Sequence, residues 1–192
     1  VFEEDVCKQI EKQRENKVFL PGVILSANLR PTNDLRQAVA DKDLVLVVVP
    51  SHVMRNVAEQ MGAFLDADTL LVSASKGIEN QTHLTMSGVI REALQNWPSS
   101  QLAVLSGPSF AKEVARKSPT VVTAASSDVA VAARIQSIFA TPYFRVYTHT
   151  DVVGVEIGGA IKNVIAIAAG VIDGLGLGLN TRAALITRGL AE

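Results

Sequence analysis

Leu44-Val-Leu-Val-Val-Val49, followed at once by Pro50-Ser51-His52, is the stretch from which the fold can be read. Six apolar residues without a polar interruption suit a strand buried on both faces of a parallel sheet. Pro50 and Ser51 end that strand, and apolar residues at helical spacing run from Val53 to Leu65. Leu70 to Ser73 then supplies the next strand, which completes a β-α-β unit.

The same rhythm extends in both directions. Upstream, Phe2 to Asn16 has helical spacing, Pro21-Gly22 turns the chain toward a short strand at Val23 to Leu25, and Thr32 or Asn33 caps a helix through Ala40. Downstream come a helix from Met86 to Gln95, a strand from Leu102 to Leu105, a short helix after Pro108 and a strand from Thr120 to Thr123. A helix from Val129 to Phe139, capped by Ser126, Ser127 or Asp128, precedes a strand from Phe144 to Tyr147. Strands alternating with helices predict an α/β fold with a doubly wound, Rossmann-like, mainly parallel sheet, whose ligands gather beyond the carboxyl ends of the strands.

Past His149 the alternation stops. Val152 to Val171 predicts one long apolar helix, Gly174-Leu-Gly-Leu-Gly178 a connection, and the residues from about Thr181 a further helix. The expected division is residues 1–149 as a dinucleotide-binding domain and 150–192 as the start of an all-helical substrate domain. The Gly-rich connection is not a nucleotide loop, because it follows a helix and lacks the G-x-G-x-x-G spacing.

Composition narrows the function classes. Of 192 residues, 48% are hydrophobic, 19% charged and 5% aromatic, which matches a globular α/β enzyme. A net charge of −1 without a basic run offers nothing to nucleic acid or an anionic membrane, so the expected partner is a small molecule. The single cysteine, Cys7, and the lack of a signal-peptide pattern lead to a cytoplasmic expectation. The apolar run Ile157 to Ile172, broken by Lys162 and Asn163, is short for a bilayer span of about 20 residues and is expected to be a buried helix. No Met opens the chain and no cap closes it, so both ends are expected to be cut. No Cys/His cluster has metal-ligand spacing.

Four segments can carry chemistry. Val49-Pro-Ser-His52 would lie at the sheet's carboxyl edge, although an ordinary strand-to-helix turn reads the same way. Lys76, between a strand end and Gly77, is either a solvated lysine or a point charge for phosphate or carbonyl oxygen. In Ser106-Gly-Pro-Ser109, Ser109 either caps the following helix or helps hold an anion at its free N–H groups. Gly158 and Gly159 each weaken the long helix by up to about 1 kcal/mol relative to Ala, which implies close packing against that face. Lys162 is either a lysine whose stem crosses an apolar face to reach solvent, or a buried ammonium suited to acid/base work.

In order along the chain, Val48-Val-Pro-Ser-His52, Ser75-Lys-Gly77, Ser106-Gly-Pro-Ser-Phe-Ala-Lys-Glu113, Gly158-Gly-Ala-Ile-Lys-Asn-Val-Ile-Ala166 and Asn180-Thr-Arg-Ala-Ala-Leu-Ile-Thr-Arg-Gly-Leu-Ala-Glu192 closely resemble the bacterial NAD(P)-dependent glycerol-3-phosphate dehydrogenases. The resemblance implies that Lys162 is the general acid/base toward the carbonyl oxygen of dihydroxyacetone phosphate, with Asn163 beside it. It implies that Lys76 contacts substrate and cofactor, that Gly107 and Ser109 bind substrate, that Ala111 binds cofactor, and that the cofactor is NAD or NADP. A homodimer and a place in phospholipid synthesis belong to the same expectation. Two departures stand out: the sequence has no strand with a G-x-G-x-x-G turn, and it stops early in the helical half, so the chain reads as truncated at both ends. The rival readings are a β-hydroxyacid or ketopantoate dehydrogenase, and a nucleotide-binding module without turnover.

Overall fold

The computed structural model describes residues 3–191. In chain order the elements are α1 (Glu4–Gln13), β1 (Glu15–Asn16), β2 (Leu20–Ile24), α2 (Leu35–Val39), β3 (Leu44–Val47), α3 (Met54–Gly62), β4 (Leu70–Ser73), α4 (Met86–Ala93), β5 (Leu102–Ser106), α5 (Ala111–Ala115), β6 (Thr120–Ala125), α6 (Val129–Phe139), β7 (Phe144–His149), α7 (Val152–Gly174) and α8 (Gly178–Ala191). The five strands from β3 to β7 form one sheet in sequence order, and β1 with β2 forms a separate antiparallel hairpin. The pairs β3–β4, β4–β5 and β6–β7 are parallel.

β6 runs antiparallel to β5, with Ser106 opposite Thr123. The carboxyl ends of β3, β4 and β5 therefore share one edge of the sheet, while β6 and β7 end on the other. The loops after β3, β4 and β5 lie on that edge, together with those that lead into β6 and β7.

Side-chain alternation along β4 divides the core. Leu71 faces Val47, Met54, Met61, Met86 and Ile90 under α3 and α4, and Leu70 and Val72 face Ala103, Val122, Ile135 and Val146 under α6. Each such aliphatic side chain contributes about 1.5–3 kcal/mol by burial. β4 is thus covered on both faces, with every residue buried. That role was expected of Leu44–Val49; among the described residues β3 pairs on one side, with β4, and Leu46 and Val48 are 41% and 65% exposed.

Several predicted boundaries move for local reasons. Arg14 adopts φ 54° and ends α1, so Glu15 and Asn16 leave the helix for the hairpin, while the expected start at Phe2 lies outside the described residues. Pro21 and Gly22 sit inside β2, with the Gly22 N–H donating to Glu15 Oε1 at 2.8 Å. Asp34, rather than Thr32 or Asn33, caps α2 by accepting from the Gln37 N–H. Asp128 is the cap of α6, through the Ala130 N–H at 2.8 Å.

α7 is where expectation and structure differ most. Asp151 caps it by accepting from the Gly154 N–H at 2.8 Å, and Val152 packs on Val104 and Ala125 on the face that also carries α3 and α4. The helix then passes the end of the sheet. Ile161, Val164, Ile167 and Val171 are 49–69% exposed, because α8 is the one described helix that packs on this stretch, in a hairpin tied by Arg182 and Asp173. The predicted buried helix is buried at its first turns alone, and with 23 residues α7 is long and apolar enough to span a bilayer by length and composition.

Candidate active site

Loops at the shared carboxyl edge are tied to one another. After β3, the Val49 N–H donates to Ser75 Oγ at 2.8 Å, which joins that loop to the one after β4. Gly77 has φ 136°, and a Cβ there would lie 2.8 Å from Ser51 Cβ and Oγ, so glycine is required by both backbone and space. From α3, Arg55 grips Glu79 with two bonds, Nε to Oε1 at 3.0 Å and Nη2 to Oε2 at 2.7 Å, and also reaches Glu92 at 2.9 Å. The hydrogen bond from Arg55, and then that from Thr82, hold the Glu79 carboxyl below its ordinary range. Ser51, His52, Arg55, Asn56, Glu79 and Asn80 help line a cleft of about 330 Å³. His52 is exposed there.

The turn after β5 is shaped by packing. Gly107 has φ 146°, and a Cβ would lie 2.8 Å from the Val121 carbonyl oxygen of β6. Ser109 is exposed and does not cap α5: its hydroxyl donates to the Gly107 carbonyl at 3.4 Å, and Phe110 is the cap position without a side-chain bond. α5 is five residues long and Ala111 is its first residue, so the expected anion-holding helix start is minimal. At the end of β4, Ser73 Oγ is buried without a partner among the described residues.

α7 closes the arrangement from above. A Cβ at Gly159 would overlap Ser106 Oγ, which accounts for a glycine in mid-helix, whereas Gly158 faces open space and has no such reason. One turn on, Lys162 is exposed rather than buried, and its ammonium donates to Asn163 Oδ1 at 3.0 Å. Lys76 is exposed as a residue, yet partial desolvation of its head group and then the nearby Lys162 ammonium hold its pKa below the ordinary lysine value. Lys76 and Lys162 are thus near enough for their charges to oppose each other, and Asn163 is bonded to Lys162. Among the described residues no carboxylate forms an ion pair with either lysine. No hydrogen bond joins Ser109 or Ala111 to the two lysines.

Two residues of this region escaped the sequence reading. Glu156 is 7% exposed, and its carboxyl accepts from the Ser87 N–H at 2.8 Å and from the Ser87 hydroxyl at 2.5 Å. An acidic residue inside an apolar helix, two turns before Lys162, was the available signal. Arg55 gave no signal, because its partners Glu79 and Glu92 lie on other elements.

Residues 1–132 match the family model of the NAD-dependent glycerol-3-phosphate dehydrogenase N-terminus, and residues 151–192 match that of the C-terminus. The chain belongs to the NAD-dependent glycerol-3-phosphate dehydrogenase family. It is 55% identical over 192 residues to the NAD(P)+ glycerol-3-phosphate dehydrogenase of Syntrophobacter fumaroxidans, covering all of this chain and 56% of that enzyme. The crystal structure of glycerol-3-phosphate dehydrogenase from Coxiella burnetii superposes with a TM-score of 0.86 at 36% identity, over 99% of this chain and 57% of that one. That from Plasmodium falciparum gives 0.88 at 29% identity, over 98% and 53%. The chain thus spans little more than half the length of these members of its family. Both the Rossmann-like sheet and the helices that follow are features it shares with them.

Proposed function

We propose that this chain carries part of an oxidoreductase that interconverts dihydroxyacetone phosphate and sn-glycerol 3-phosphate with NAD(P)H and NAD(P)+. The observation that carries the reading is the placement of Lys162 on α7, one turn beyond the glycine seated on Ser106 at the end of β5, with its ammonium bonded to Asn163 Oδ1 and with Lys76 on the neighbouring β4 loop. Two ammoniums held at one sheet edge repel each other, and a phosphorylated substrate with a developing alkoxide supplies the missing negative charge.

Nicotinamide, when bound, supplies the hydride to the substrate's C2 carbon. The residues present fit such a group: the exposed Lys76 at the carboxyl end of β4 makes no ion pair with a carboxylate among the described residues, which leaves a cation for an anionic ligand. Lys76 and Ala111 would contact the cofactor, and Lys76, Gly107, Ser109 and Asn163 the substrate. Lys162 holds the proton that goes to the C2 oxygen during reduction and takes it back in oxidation, oriented by its bond to Asn163 Oδ1. Residues 1–149 form the dinucleotide-binding part and 150–192 begin the substrate domain. A cytoplasmic enzyme, a triose phosphate as its partner, a possible homodimer and a supply of glycerol phosphate for phospholipid synthesis complete the proposal.

The test is turnover by the chain completed to the length of its relatives. Dihydroxyacetone phosphate should be reduced with NADH or NADPH, while ketopantoate and 3-oxo acids should not. Preferred turnover of a carboxylate substrate would overturn the reading.

A further inference from the structure

We infer that Glu156 is a positioning residue, which fixes the place of Lys162 at the carboxyl edge without itself touching substrate or cofactor. The inference rests on the assignment of Lys162 as the proton donor. α4 begins without a cap of its own: Thr85 makes no capping bond, and its hydroxyl lies 3.3 Å from that of Ser87. The amides of a helix's first turn need acceptors. Glu156, 69 residues away in sequence, supplies one by accepting both the Ser87 N–H and the Ser87 hydroxyl. A buried carboxyl is costly unless it is bonded in this way, so the pairing allows one placement of α7 against α4 and disfavours others.

Distance along the helix makes the placement matter. Lys162 lies six residues beyond Glu156, about 9 Å along the axis. Past Gly159, seated on Ser106, no strand supports α7, and its outer residues are largely exposed. The bond to Ser87 is the last polar tie between α7 and the sheet domain before Lys162, among the described residues. Among the described residues, the contacts that fix α7 against the sheet domain closest to Lys162 are thus those of Glu156 and Gly159. Misplacing a reacting group by about 1 Å can lower a rate ~10²-fold.

The experiment is a double-mutant cycle in the chain completed to the length of its relatives, read as kcat and KM well below the unfolding temperature. Glu156→Leu should lower kcat by ~10–10²-fold while the KM for NAD(P)H stays unchanged. Glu156→Gln should retain most of the wild-type kcat, because its amide can accept from the Ser87 N–H and donate to the hydroxyl. In a Lys162→Met background, adding Glu156→Leu should change the residual rate by no more than about twofold, since its effect acts through Lys162. If Glu156→Leu does not fold, Ser87→Ala takes its place in the same cycle with a smaller loss. Wild-type kcat in Glu156→Leu beside an inactive Lys162→Met, or an equal loss in both backgrounds, overturns the inference and leaves the proposed function standing. An active Lys162→Met overturns the inference together with the assignment of Lys162 as proton donor, and leaves the substrate assignment to the turnover test above.

Discussion

Two neighbouring glycines in α7 offer a test of how the helix seats on the sheet. Replacing Gly158 by Ala puts a methyl into open space, so the change should stabilise the chain by the helix-propensity difference of up to about 1 kcal/mol. For a chain of this size that is roughly 2–4 °C in Tm. Gly159→Ala gains the same propensity, but its Cβ overlaps Ser106 Oγ, and overpacking of this kind costs about 1–3 kcal/mol. The net effect should run from near neutral to about 2 kcal/mol destabilising, leaving the two variants about 1–3 kcal/mol apart. Urea unfolding with a common slope measures that gap. Ser106→Ala removes the overlapping hydroxyl and should restore most of the loss in the Gly159→Ala background. Gly159→Ala proving as stable as Gly158→Ala, or Ser106→Ala restoring nothing, would refute the close seating of α7 on β5.

Lys162→Met should fold and bind NAD(P)H while kcat falls ~10²–10⁴-fold in steady-state reduction of dihydroxyacetone phosphate; retention of more than about a tenth of the rate would remove Lys162 from the mechanism. In that same variant the Lys76 pKa should rise, because the smaller of its two depressing causes is gone while desolvation remains, as followed by NMR of isotopically methylated lysine. Because the folded-state pKa of Lys76 lies below 10.5, the folded form releases its proton first, so this group's contribution to stability increases as pH rises toward 10.5; Lys76→Met should flatten that part of the stability profile. Glu79 has the opposite sign: its depressed pKa gives a stabilisation present above the ordinary value of 4.5 and lost as pH falls through the folded-state value, and Arg55→Met should remove the larger part of it, leaving the share due to the Thr82 hydrogen bond, in acid titrations monitored by amide exchange.

Much of the sheet was legible because its information is local. Runs such as Leu70 to Ser73 and Leu102 to Leu105 are short, apolar and bounded by turn residues, and α6 matches its predicted bounds of Val129–Phe139. Lys76 and Lys162 could be singled out from strand-end position and helix context, without knowledge of their proximity. Local pattern failed where partners decided the outcome. Ser109 reads as a cap, yet the chain enters α5 a residue later, and Thr32 or Asn33 reads as the cap of α2, yet Asp34 accepts from its Gln37 N–H.

By itself the sequence determined the periodicities, hence the elements, and the ordered motifs, hence the family. Tertiary structure alone decided that β6 reverses, that Gly159 of α7 seats on Ser106, and that Glu156 reaches Ser87 across 69 residues. The physical reason is range. Backbone propensity and side-chain period act over one or two turns, whereas burial, charge proximity and the satisfaction of a helix's first amides depend on which distant segment arrives there.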